Sequence, residues 1–308
     1  MESLCGTNYP NGQGMNCLLL GGTGFIGKNI QAQRPNWKWT SVGSATLDLS
    51  NSYQLQCLHD NYDIVINAAG FYGGLPFNTK YQQEILFVNT AIINNIARLV
   101  DQLKPKKFVN IGSGCLYPRS ATLTLDENDI GPTDYHHSIK YSAMTKNWLL
   151  QVTKALDIPW EYLVLSNVYG PGEHLSAERS HFVGSLANKI KNSIDTVNML
   201  GDGSGVRDFI FISDAAEAVC RYCELETATN SLSNISTGTG ISVREITDQL
   251  IKISQKDLQI IWGDPKDNGV LYKVLNNDKM LHDIQYNPGT TMYQGLVNTW
   301  KWIQNNEL

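Results

Sequence analysis

Two spacings of apolar residues alternate along the first half of the chain. Short continuous runs at Cys17 to Leu20, Trp37 to Val42, Asp63 to Gly70, Lys107 to Gly112 and Trp160 to Ser166 are strand-length. Unbroken apolar runs of that length suit strands buried on both faces. Between them lie helical repeats. Ile85, Val88, Ile92, Ile96 and Leu99 recur at helical spacing over 81–100, closed by Lys104 and Pro105, and a second helix is predicted over 141–156. Strands alternating with long crossovers predict a doubly wound α/β fold with a parallel sheet.

Beyond Pro171 the pattern loosens. It predicts a helix near 181–192, a turn at Gly201-Asp202-Gly203, a strand over 207–212, a helix from Asp214 and another over 242–253. The expected division is a dinucleotide-binding domain over 15–170, with return segments near 207–225, and a mostly substrate-binding domain over 171–308. Residues 1–14, polar with Gly and Pro, are expected to be a loose tail.

The first strand runs straight into Gly21, Thr23-Gly24 and Gly27, after which Phe25, Ile26 and Ile30 open a helix. A strand, a glycine turn and a helix start together make a diphosphate site. The glycines let the backbone approach the ligand, and the free N–H groups of the helix face its charge. Gly21, Thr23, Gly24, Phe25, Ile26 and Gly27 are therefore candidate cofactor residues. Ala68, Ala69 and Gly70 join them as small residues ending the third strand. Asp48, beside Leu49, is placed either to meet an adenine or to cap a helix over 50–58. After the second strand there is neither the acid that selects NAD nor the arginine that selects NADP, so both remain open.

Composition narrows the classes. A net charge of −5 gives no footprint for nucleic acid or an anionic membrane, and 42% hydrophobic with 17% charged residues is ordinary for a globular chain. No apolar run approaches the roughly 20 residues of a membrane span, and the N-terminus lacks a signal-peptide core. Six cysteines show no disulfide framework, which suits a cytoplasmic location. Cys220 and Cys223 form a C-x-x-C inside a helical pattern with no second pair, so no metal is expected.

Several stretches together resemble one family. Gly21-x-x-Gly24-x-x-Gly27, Asn67-Ala-Ala-Gly70, Asn167-Val-Tyr-Gly-Pro171 and Arg207-Asp-Phe209 are similar to the extended short-chain dehydrogenase/reductases that act on nucleotide sugars. Gly73-Gly74, Gly112-Ser-Gly-Cys-Leu-Tyr-Pro118 and Arg179-Ser-His181 resemble the GDP-L-fucose synthases within it. The resemblance implies a Rossmann fold, NAD or NADP, a GDP-linked 4-keto-6-deoxy sugar and a homodimer. It implies 3,5-epimerisation, 4-reduction or both, with Ser113 at the ketone oxygen and Cys115 and His181 as the proton-transfer pair. Asn167 and Arg207 would then bind substrate, Arg207 at the diphosphate.

One motif departs. The family's Tyr-x-x-x-Lys has no counterpart in Asp134-Tyr-His-His-Ser-Ile-Lys140-Tyr-Ser-Ala-Met-Thr-Lys146, where no tyrosine lies four residues before a lysine. Lys140 is the expected ribose-binding lysine, which leaves His136 or Tyr135 as the acid. Two rivals follow: NAD-dependent oxidation of a nucleotide sugar at C4, and a cofactor-binding regulatory protein that has lost catalysis.

Overall fold

The computed structural model of the chain describes residues 14–118, 124–131, 135, 137–176 and 178–306. The expected tail, Gly14 apart, and His136 lie outside the described residues. The first half gives β1 (Asn16–Leu20), α1 (Phe25–Gln33), β2 (Lys38–Val42), β3 (Ile64–Asn67), the short α2 (Leu75–Lys80) and the long α3 (Gln82–Leu103). Then come β4 (Lys107–Ser113), α4 (Lys140–Ala155), β5 (Trp160–Leu165) and β6 (Asn167–Tyr169). The second half adds α5 (Phe182–Asn192), β7 (Thr196–Asn198), β8 (Val206–Phe211), α6 (Ile212–Glu224), β9 (Ser231–Ile235) and β10 (Gly240–Ser242). It ends with α7 (Val243–Ser254), β11 (Gln259–Ile261), β12 (Tyr272–Lys273), α8 (Asp278–Ile284) and α9 (Met292–Asn305).

Six strands form one parallel sheet in the order β2-β1-β3-β4-β5-β9. The order reverses between β1 and β3, and a crevice opens there beyond the carboxyl ends of the strands. Leu20 pairs with Val42 on one side and Asn67 on the other, so all three strands stop level at that crevice. The pleat explains the apolar runs. Leu18 and Leu20 face α3, packing with Val65, Ile92, Ile96 and Leu99, whereas Cys17 and Leu19 face α1 and α6. Each fully buried aliphatic side chain contributes about 1.5–3 kcal/mol, and both faces are covered.

The strand expected over 207–212 forms as β8, outside the main sheet. Its first half lies between β10 and β12, its second half pairs with β6, and the sixth strand of the main sheet is β9 at 231–235. The helix expected over 50–58 is a single 3-10 turn at Gln54–Cys57. The segment carrying the C-x-x-C is α6, with Cys220 and Cys223 buried against the sheet. Its last turn is fastened by Lys107, a buried lysine donating to the carbonyls of Tyr222, Cys223 and Leu225 at 2.9, 3.2 and 2.6 Å. A cation at a helix C-terminus completes carbonyls that the helix leaves open.

Candidate active site

The glycine turn is shaped by backbone contact. Gly21 has φ +84°, and a Cβ there would lie 2.7 Å from the Ala69 nitrogen. A Cβ on Gly27 would lie 2.4 Å from the Gly21 carbonyl oxygen, so only glycine lets α1 sit this close to β1. Gly24 differs, because its Cβ would meet only that same carbonyl, at 3.2 Å. Its bare Cα instead faces the cleft. The first turn of α1 has no side-chain cap and no acidic residue. Gly24, Phe25, Ile26, Ala68, Ala69 and Gly70 all line a cleft of about 910 Å³. Small walls, a close-approach glycine and open N–H groups fit a dinucleotide diphosphate.

The neighbouring candidates stand further off. Thr23 is exposed and packs against Gly43, while Leu49 is buried. The Asp48 carboxylate accepts hydrogen bonds from the backbone N–H and hydroxyl of Ser50 at 2.9 and 2.7 Å, capping a local turn outside the cleft lining.

The end of β4 supplies the cleft floor. Ser113 caps a 3-10 turn, Gly114–Leu116, and accepts from the Cys115 N–H at 3.4 Å. Both side chains line the cleft. Burial pushes the Cys115 thiol up, while the Ser113 hydroxyl and the ammonium groups of Lys146 and Lys273 pull it back. Thus two lysines from different elements address one thiol.

The lysine expectation needs correcting. Lys140 is the first residue of α4 and is exposed, with Nζ 5.8 Å from the Tyr141 ring centre and outside the cleft lining. Lys146 lies six residues on, about 120° away around the helix, and points inward. Its buried Nζ donates to the Ile111 carbonyl at 2.8 Å, and burial lowers its pKa to about 8. The phase of α4 is fixed by the sheet: the Tyr162 hydroxyl donates to the Lys146 carbonyl at 2.7 Å, and Asn110 donates to Thr153 at 3.0 Å. Four residues before Lys146, on the same helix face, stands Ser142. It also lines the cleft, and its buried hydroxyl has no hydrogen-bond partner. Ser142-x-x-x-Lys146 therefore occupies the spacing that was sought at 136–140. Tyr135, meanwhile, donates to the Gly131 carbonyl at 3.2 Å and is not part of the lining.

The opposite wall comes from the second half of the chain. His181 precedes α5 with its side chain open to the cleft. Its backbone N–H donates to Glu173, whose carboxyl lies 3.8 Å from Nδ1 and is pushed up to about 7 by burial. Asn167 lines the cleft and donates to the Asp208 carbonyl at 2.7 Å. Arg207 sits in register with Lys273 on the adjacent strand β12, and both line the cleft. Neither Asp208 nor Asp202 pairs with Arg207. Asp208 is engaged by Thr237 and Gly238, Asp202 by Ser204 and Asn268. Burial lowers the Arg207 guanidinium to about 10 and the Lys273 ammonium to about 8, the penalty of two cations to which no carboxylate is bonded among the described residues. Such a pair is complementary to an anion.

The family model described as "NAD dependent epimerase/dehydratase family" matches residues 17–235, most of the chain. The chain belongs to this family. Among its relatives, GDP-L-fucose synthase of Azorhizobium caulinodans is 25% identical, aligned over 96% of this chain and 99% of its own length. GDP-L-colitose synthase of Yersinia pseudotuberculosis is 23% identical over 95% and 99%. In structure the chain resembles a GDP-6-OMe-4-keto-L-xylo-heptose reductase of Campylobacter jejuni, with TM-score 0.86 and 17% identity over 95% and 98% of the two chains. An NADP-bound GDP-L-fucose synthetase of Naegleria fowleri gives 0.83 and 21% over 96% and 94%. The chain is thus an NAD(P)-dependent epimerase/dehydratase-family enzyme of the extended short-chain dehydrogenase/reductase fold. Within it, Tyr72, Ser142, Lys146, Glu173 and Lys273 line the site without having been singled out for it. Only the i, i+4 spacing of a hydroxyl and a lysine at 142 and 146 was a visible signal.

Proposed function

We propose that this enzyme epimerises and reduces a GDP-linked 4-keto-6-deoxy sugar, hexose or heptose. The observation that carries the reading is convergence. Ser113, Cys115 and His181 reach one cleft from opposite walls, beside the open end of α1. In this reading Arg207 and Lys273 hold the nucleotide diphosphate, and Asn167 lines the sugar's approach. Ser113 hydrogen-bonds the C4 oxygen. Cys115 and His181 remove and return the proton beside the ketone on opposite faces of the ring, as inversion requires. Lys146 serves the ribose of the cofactor in place of Lys140. The bound cofactor supplies the hydride for reduction. Ser142, where the family resemblance implies a tyrosine, favours a second reading in which the enzyme epimerises without reducing.

Incubation with GDP-4-keto-6-deoxy-mannose and NAD(P)H in D₂O separates these readings. Deuterium at C3 or C5 with cofactor oxidation is expected, with UDP- and dTDP-sugars inactive. Deuterium without oxidation favours the second reading, and neither signal overturns both. Cys115→Ser and His181→Asn should each slow exchange by ~10²-fold while sparing reduction of an already epimerised ketone.

A cytoplasmic homodimer belongs to the same proposal. The five described cysteines are free thiols, and among the described residues no helix is long and apolar enough to cross a membrane. Phe87 on α3 and Met144 and Trp148 on α4 are 62%, 42% and 45% exposed, an apolar face on two adjacent helices. Sedimentation at the mass of a single chain would remove the dimer.

A further inference from the structure

On the helix face that carries Lys146, Ser142 offers the cleft only a short hydroxyl where the family resemblance implies a phenol. Another phenol enters the same space from a different element. Tyr72, in the loop after β3, lines the cleft and lays its ring over Lys146, with Nζ 4.7 Å from the ring centre. The ring lies so close over Gly70 that a Cβ there would be 2.3 Å from Cε2, so the glycine makes room for it. Its hydroxyl is 3.0 Å from Oγ1 of Thr145. Thr145 in turn spends its own proton on the carbonyls of Tyr141 and Ser142, at 2.9 and 3.1 Å. Across the Tyr72–Thr145 contact the phenol is therefore the donor. Its proton is directed at a neutral hydroxyl, and rotation about one C–O bond can redirect it.

From this arrangement we infer that Tyr72 is the proton donor to the sugar's C4 oxygen, a catalytic residue supplied from the β3 loop in place of one on α4. The inference rests on the proposed 4-reduction. In that step a hydride from the reduced nicotinamide bonds to C4 and the carbonyl π pair moves to oxygen. The Tyr72 O–H breaks and its proton forms the new hydroxyl, leaving a phenolate that regains a proton from solvent. Lys146 lies over the ring of that phenolate as a cation, stabilising the charge as it forms. Burial, and after it the Cys115 thiol, push the phenol's pKa up while the Thr145 hydroxyl pulls it back, and the cation over the ring favours the phenolate as it forms.

The test uses the full chain with an already epimerised GDP-4-keto sugar. Tyr72→Phe keeps the ring over Lys146 and removes only the hydroxyl. Single-turnover hydride transfer should fall ~10²-fold or more. Dinucleotide affinity by fluorescence and keto-sugar affinity by calorimetry should stay within threefold. Adding Ser142→Tyr to Tyr72→Phe should restore at least tenfold of the lost rate. A loss below tenfold in Tyr72→Phe overturns the inference. So does a loss that follows keto-sugar affinity, which would make Tyr72 a wall of the cleft. Wild-type protein that transfers no hydride overturns the reductase reading itself and this inference with it, whereas wild-type turnover matched by Tyr72→Phe overturns the inference alone.

Discussion

The two halves of the active site are built on different principles. The β1–α1 half is made of backbone: Gly21, Gly24 and Gly27 matter for what they lack, and their spacing alone sets the geometry. The β4–α4 half is made of side chains whose positions depend on where a helix starts and how it is rotated. There a six-residue difference, Lys140 against Lys146, decides whether an ammonium faces water or the cleft. A backbone site survives sequence divergence as a recognisable spacing. A side-chain site can exchange its members between elements, and only the folded chain shows which ones meet.

Breaking the first half should have the largest effect. Gly24→Val places a branched side chain where the backbone must approach a diphosphate. In the protein alone its Cβ meets nothing closer than the Gly21 carbonyl oxygen at 3.2 Å. The fold should therefore persist, with far-UV circular dichroism unchanged, while dinucleotide affinity by fluorescence falls ~10³-fold or more, a loss of about 4 kcal/mol. Affinity within twofold of wild type would remove the glycine turn from the site.

The second half is sharpened by comparing its two lysines. Lys146→Met should lower kcat/KM by ~10²-fold, because it removes a buried cation from beside the reacting groups. Lys140→Met should change it less than twofold, since that side chain is solvent-exposed. The reverse ranking would restore Lys140 as the cofactor lysine.

What could be read in advance follows the same division. The apolar runs gave β1 to β5 and the long helices, because burial on both sheet faces leaves a pattern that needs no tertiary knowledge. Ser113, Cys115 and His181, singled out by their motifs, all line the cleft. α4 runs over Lys140–Ala155, close to the predicted 141–156, but which of its lysines faces the cleft depends on the helix's rotation, which is set by contacts such as that of the Tyr162 hydroxyl with the Lys146 carbonyl. Lys273 lies on a strand of two residues, too short to leave a periodic signal. Tyr72 and Glu173 come from loops. Chains of contact across the fold bring them in: Tyr72 through Gly70 and Thr145, Glu173 through the backbone of His181.

The smallest effect expected is on stability, and it tests Glu173. Its carboxyl is buried behind His181, one oxygen accepting the His181 N–H. Burial pushes its pKa up to about 7, against an ordinary glutamate value near 4.3 in the unfolded chain. Between those values the folded protein holds a proton that the unfolded chain has released. By linkage, the contribution to stability is fully present below about pH 4 and is lost as pH rises through about 7. A shift of this size corresponds to about 3–4 kcal/mol. Glu173→Gln keeps an acceptor for the His181 N–H but cannot ionise. The stability of wild type minus that of the glutamine variant should therefore fall by about 2 kcal/mol between pH 5 and pH 8, read from urea unfolding at each pH. Parallel curves across that range would mean that Glu173 is ionised in the folded protein at neutral pH. His181, whose ring burial pulls below the ordinary histidine range, would then face a carboxylate rather than a neutral acid.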